Sequence, residues 1–245
     1  MYKYDVNSAE QIITGAHKLV LECVAHATDI TQIIDSCHEN DLRPFVFKRF
    51  AVIIHNYMLS FFFIKDSLLH YAWWDSIGYS NLTNEQKMVN ASSFFESTTF
   101  STFHALYMVC ESSLRLLNKA FDSTVLDEST GGIYKVRKHL YENFLSISYS
   151  QHSNFYQFTS LIRNCTHNGG VYRNPNLPNL SVNYRGNSYS FTHNQPPNFI
   201  SVELMFELSR DSIQVMYEII LDPNVISLPF IEDLYNRLYQ THPIL

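Results

Sequence analysis

The sequence predicts a mainly all-α protein, a helical bundle with a small β-hairpin inserted near residues 181–191. Three observations lead there. Apolar residues recur at three- and four-residue spacing through most of the 245 residues. Glycine is scarce, only 7 in the chain, so the breaks separate long uninterrupted stretches. One segment alone alternates with a period of two around a tight Arg-Gly turn.

A first helix is expected from an N-cap at Ser8, with Ile12, Ile13, Leu19, Val20 and Val24 on one face. It reaches about Cys37, bent or broken near Thr28 and Asp29. Asp41-Leu42-Arg43-Pro44 reads as a turn, with Pro44 opening a second helix that runs to about Ser76. After a loop at Ile77–Thr83, helical patterning resumes beyond Asn84 and is strongest from Phe95 to Phe121. The polar stretch Asp122–Gly132 reads as a long connection. Ile133–Leu145 reads as a short amphipathic helix with Lys135, Arg137 and Lys138 on its wet side. Gln151–His167 follows, stopped by Asn168-Gly169-Gly170. Ser181–Tyr184 and Ser188–Phe191 then pair as a hairpin around Arg185-Gly186-Asn187. A helix over Ile200–Leu221 and a last one from about Pro229 to Tyr239 complete the chain. With no repeat or clean linker, residues 1–245 read as one helical domain, N-terminal helices 8–76 packed on a core of 95–222.

Composition narrows the function. The net charge of −6 argues against a broad basic surface that coats nucleic acid, although a single cleft can still be cationic. A charged share of 16 % beside an aromatic share of 15 % suggests apolar surface covered by a partner, and points to a homo-oligomer. Cys23, Cys37, Cys110 and Cys165 are widely spaced without a CxxC, and the polar N-terminus has no signal-peptide pattern. Both favour a cytoplasmic protein with free thiols. The most hydrophobic window, Phe50–Ile64, is interrupted by His55, Asn56 and Ser60. It is shorter than the ~20 apolar residues of a membrane span, so a core helix is expected. No HExxH, GxxxxGK, GxGxxG or GxSxG occurs, so neither a metal nor a cofactor is expected.

The chemistry concentrates at Arg163-Asn164-Cys165-Thr166-His167-Asn168. At ~100° per residue, Phe155, Phe158, Leu161, Ile162 and Cys165 form the expected core face. His152, Tyr156, Ser160, Arg163 and His167 fall opposite, with Asn164 flanking. Arg163 and His167, four residues apart, can address one phosphate. A guanidinium steadies charge on phosphorus, and an imidazole moves the proton of a 2′-hydroxyl or of the leaving oxygen. That is what cutting an RNA phosphodiester without a metal requires. The same residues also suit a plain helix terminus, where Arg, His and Asn-Gly are common stops. Around the motif, His152 could widen the site, Arg173 and Arg185 could add phosphate contacts, and Tyr172 could stack on a base.

The run Leu161-Ile162-Arg163-Asn164-Cys165-Thr166-His167-Asn168-Gly169-Gly170-Val171-Tyr172 resembles the signature of the HEPN superfamily, helical-bundle proteins frequent in bacterial toxin–antitoxin and antiviral systems. The hairpin around Asn183-Tyr184-Arg185-Gly186 and the upstream Glu111-Ser112-Ser113-Leu114-Arg115-Leu116-Leu117 are similar to one bacterial group of it. The resemblance spans roughly Phe95 to Asp222, its sharp part only a dozen residues. It implies a metal-independent endoribonuclease that dimerises so that two Arg/His motifs share a cleft. Arg163 would hold phosphate, His167 would serve as general acid or base, and Asn164 would position one or the other. An antitoxin or another defence protein would be the natural partner. The three residues between Arg163 and His167 are one fewer than the family's usual minimum, although on a helix they keep the pair on one face. Many HEPN-like proteins are catalytically inactive RNA- or protein-binding modules, and that alternative stands beside the first.

Overall fold

A computed structural model describes residues 5–34, 37–124 and 132–233. Among them are eight α-helices and one antiparallel hairpin, the mainly helical class that the patterning predicts. The chain divides into two compact units, one formed by residues 1–113 with 229–245, the other by 114–228.

In the first unit, α1 (Val6–Ile33) is capped by Asp5 rather than Ser8: Asp5 Oδ1 accepts from the Ser8 amide at 2.8 Å. It runs unbroken through Thr28 and Asp29, burying Ala9, Ala16, Leu19, Cys23, Ala27 and Ile30 against α2 (Leu42–Phe63). Asp41 caps α2 and also takes the buried Arg43 guanidinium in a two-pronged ion pair of 2.9 and 2.6 Å. That pairing satisfies a charge that the apolar neighbours Phe47 and Phe50 could not.

The second helix does not continue to Ser76. It passes into a π-helical turn at Ile64–Leu68 and stops, and α3 (Tyr71–Ser76) follows as a separate short helix. The Leu68 carbonyl, one of the acceptors a helix end leaves open, takes Trp74 Nε1–H at 2.9 Å. By length and composition Leu42–Leu68 could cross a bilayer, but 44 % of its apolar window is buried within the chain. The first-unit part of α4 (Asn84–Phe121) opens on a capping box in which Thr83 and Gln86 satisfy each other's amides. Residues 231–233 are not helical either: Leu42 N–H donates to Ile231 O and Asp233 N–H to Asn40 O. The remainder of the helix expected over Pro229–Tyr239 lies outside the described residues.

The second unit holds α5 (Ile133–Asn143), α6 (Tyr149–His167), β1 (Asn179–Tyr184), β2 (Asn187–Thr192), α7 (Val202–Ile220) and the single turn α8 (Pro223–Ile226). The hairpin closes in the predicted place, with Tyr184 opposite Asn187 and two turn residues at positive φ, Arg185 at 50° and Gly186 at 77°. Those angles match the twist of the flanking strands. Its inner face packs on α6 through Phe158, whose ring lies 4.6 Å from those of both Tyr184 and Tyr189. Asp222, almost fully buried, caps α8 and accepts from Ser146 N and Oγ and from Ile147 N, which ties the α5–α6 loop to the end of α7.

Candidate functional site

Helix α6 carries the motif on its last turn, and its end is built as the Asn-Gly-Gly sequence predicts. Gly169 (φ 69°) and Gly170 (φ 83°) take the left-handed conformation, so that Gly170 N–H donates to Cys165 O at 2.9 Å and Gly169 N–H to Thr166 O at 3.3 Å. This closure leaves Asn164 and His167 exposed and Arg163 half-buried. Arg163 Nη1 donates to Asn164 Oδ1 at 3.3 Å, and Thr166 Oγ donates back to the Arg163 carbonyl. Cys165 points inward, where burial pushes its thiol up to about 11. It is packing, not a nucleophile.

The expected wet face of α6 needs correcting. His152 and Tyr156 are buried, while Phe155 and Leu161 are only half-buried. The cause is a chain of polar partners inside the unit. Tyr141 Oη lies 2.6 Å from His152 Nδ1 and 3.0 Å from Tyr156 Oη, and His152 Nε2 lies 2.8 Å from Glu218 Oε2. An ionised carboxylate only accepts, so Nε2 carries a proton, and in the neutral imidazole Nδ1 then accepts from Tyr141. Burial raises the Tyr141 hydroxyl well above its ordinary range, which keeps it a donor. For Glu218 burial works in the raising direction, but hydrogen bonds from Gln214, His152 and Gln151 outweigh it and hold the carboxyl below its usual range. His152 is therefore a structural link. It stands fifteen residues, about 22 Å of helix, before His167 and does not widen the motif site.

Two further candidates are also held in place. Arg185 does not face a ligand: its Nε and Nη2 fork onto Asp211 at 2.9 and 2.6 Å, and Nη1 pairs with Glu207. Asp211 also accepts from Tyr184 Oη, so the turn is bolted to α7. Tyr172 is buried, donates to Leu177 O at 3.0 Å and packs on Phe191, so its ring is not free to stack on a base. Arg173 is exposed.

A residue read as a solvated cation turns out to matter more. Lys135 and Lys138 are exposed as expected, but Arg137 is only 3 % exposed. It shares the inward arc of α5 with Val136, Leu140 and Tyr141. Its guanidinium lies 4.5 Å over the Tyr156 ring, donates from Nη2 to Ser160 Oγ at 3.0 Å and from Nε to Ile133 O at 3.3 Å. Among the described residues no carboxylate pairs with it. Arg137 lines a cleft of ≈ 420 Å³ together with Tyr134, Tyr149, Tyr156 and, from the motif, Asn164. A helical wheel on Ile133, Val136, Leu140 and Tyr141 would have placed Arg137 about 40° from the centre of the inward arc, which was the available signal.

Comparison with protein-family models, curated proteins and solved structures finds no match for this chain.

Proposed function

We propose that this chain is a HEPN-like, metal-independent endoribonuclease, acting through Arg163, Asn164 and His167 at the end of α6. The supporting observation is the last turn of that helix. The Gly169–Gly170 closure leaves His167 exposed one turn beyond Arg163, whose guanidinium is hydrogen-bonded to Asn164. In the proposed step the 2′-oxygen attacks phosphorus while His167 takes its proton, and the P–O5′ bond breaks as that oxygen receives a proton. The products are a 2′,3′-cyclic phosphate and a 5′-hydroxyl. Arg163 bears the charge that builds on the phosphoryl oxygens, and Asn164 fixes Arg163. A shared cleft between two copies, a cytoplasmic setting, an antitoxin-like partner and a toxin or antiviral role belong to the same reading.

The test is RNA cleavage in EDTA by wild type, Arg163→Ala and His167→Ala. Each substitution should lower the rate by about 10²- to 10⁴-fold, and the wild-type product should end in a cyclic phosphate. Cleavage that survives in both variants removes the site from consideration.

The catalytically silent alternative, a HEPN-like RNA-binding module, is favoured by one feature: Asn164 belongs both to the motif and to the cleft around Arg137. Binding without cleavage in the same experiment would select it.

A further inference from the structure

A guanidinium carries its charge at any physiological pH and is costly to bury without an opposing charge. Arg137 is nonetheless buried, and its two hydrogen bonds go to neutral oxygens, those of Ser160 and Ile133. Its Nη1 has no partner among the described residues. Nothing lining the adjoining cleft is acidic, so Arg137 gives it a net positive charge. Burial holds the Tyr149 hydroxyl above its ordinary range, so that group remains neutral too. The arginines with described carboxylate partners show what this fold does when a cation serves structure: Arg43 is met by Asp41, Arg49 by Asp233, Arg185 by Asp211 and Glu207, and Arg210 by Glu207.

The rest of the wall suits a flat ring rather than a bare ion. Tyr149 and Tyr156 lie nearly parallel, 14° apart with centroids at 6.0 Å, and Tyr134 meets Tyr149 edge-on at 6.5 Å. Leu177 and Leu180 also line the cleft. Tyr134 is exposed, so one stacking surface stands at the rim. Asn164, whose Oδ1 is engaged by Arg163, has its amide nitrogen to donate, while the Asn174 side chain is held by the Asn176 amide and by Tyr172. The volume falls within the roughly 300–1,000 Å³ of small-ligand sites. It suits a single nucleotide, not a length of strand.

We propose that the Arg137 cleft binds a nucleoside phosphate, with the phosphate on the Arg137 guanidinium, the base against the tyrosines, and the Asn164 amide at the base edge. Apart from Asn164, the site uses residues that the cleavage reading leaves idle, and it does not depend on Arg163 or His167 chemistry. A free mononucleotide and one nucleotide of an RNA strand present the same groups.

The test is calorimetric titration of the full chain with adenosine and uridine 5′-monophosphates, adenosine and inorganic phosphate, alongside anisotropy of a labelled single-stranded oligoribonucleotide. Monophosphates should bind about 10- to 100-fold more tightly than adenosine, the worth of a charge-assisted contact to phosphate. An oligonucleotide that binds no better than the monophosphates identifies a free nucleotide as the ligand. One that binds at least about tenfold more tightly identifies a strand. Arg137→Met should remove the preference for phosphate. Tyr134→Ala, at an exposed ring, should weaken every nucleotide by about 5- to 100-fold. His167→Ala should leave monophosphate affinity unchanged whether or not it stops RNA cleavage, so failure of one reading is distinguishable from failure of the other. Adenosine binding as tightly as its monophosphate, no binding at millimolar ligand, or unchanged affinity in folded Arg137→Met or in Tyr134→Ala would overturn the proposal.

Discussion

Arg185 and Arg137 belong to the same unit and stand in opposite circumstances. Arg185 sits at the tip of a hairpin, 42 % exposed, and two carboxylates from α7 cancel its charge. Arg137 sits inside the helical layer with no described carboxylate beside it. The outward residue is thus committed to the fold and the inward one is chemically available. Exposure and availability are different properties, and a polar side chain is free to act only where its charge has not been met.

The sharpest way to break that comparison is to remove Asp211. Asp211→Ala takes the forked partner from Arg185 and the acceptor from the buried Tyr184 hydroxyl at once. We expect a loss of about 3 kcal/mol in urea denaturation, because two donors lose a charged acceptor together. A loss under about 0.5 kcal/mol, the scale of an ordinary surface pair, would show that the bolt is ornamental and return Arg185 to the candidate phosphate contacts. Next in size is His152→Leu. It keeps an apolar volume but takes one hydrogen-bond partner each from Tyr141 Oη and Glu218, and should cost about 2 kcal/mol. A neutral result would mean that His152 is not the link its contacts describe, and would reopen it as a functional histidine.

These cases mark what could be read in advance. The hairpin's place was legible, because Arg-Gly supplies the positive φ values that a tight turn demands, but its bounds were not: the strands run Asn179–Tyr184 and Asn187–Thr192, with Asn187 in the second strand rather than in the turn. The end of α6 was legible for the same reason, since Asn168-Gly169-Gly170 fixes where Arg163, Asn164 and His167 stop. The wet face of α6 was misread because polarity was taken for exposure. His152 and Tyr156 are inside because Glu218, 66 residues on from His152, and Tyr141 close their hydrogen bonds, and no local pattern announces so distant a partner. The Arg137 cleft was illegible as a whole, since Tyr134, Tyr149, Asn164 and Leu177 come from three helical or loop segments that only the fold assembles. The π turn at Ile64–Leu68 has no breaker residue to betray it.

A smaller effect, of opposite sign, tests Arg137 directly. Methionine fills similar space without a charge to desolvate, so Arg137→Met should leave stability unchanged or raise it by about 1 kcal/mol in the absence of ligand. Arg185→Met should lower it by about 1 kcal/mol, because the carboxylates it leaves are then crowded without a cation. If both substitutions destabilise equally, Arg137 is a structural residue like its counterpart, and the contrast between them disappears.

The smallest effect is a pH dependence at the solvent end of the His152 chain. Glu218 has its carboxyl held below the ordinary value, with the hydrogen bonds from Gln214, His152 and Gln151 outweighing the effect of burial. A group whose pKa is lower folded than unfolded binds fewer protons in the native state. Its contribution is fully present above the ordinary carboxylate range and fades as pH falls through the depressed folded value. Wild type should therefore exceed Glu218→Gln in stability most at pH 7, and the gap should narrow steadily below about pH 4.3. Glutamine keeps the shape and one acceptor but not the charge, so the narrowing isolates the ionised form. A gap that stays constant from pH 7 to 3 would mean that the carboxylate charge adds nothing at this position, and that His152 is held by Tyr141 and packing alone.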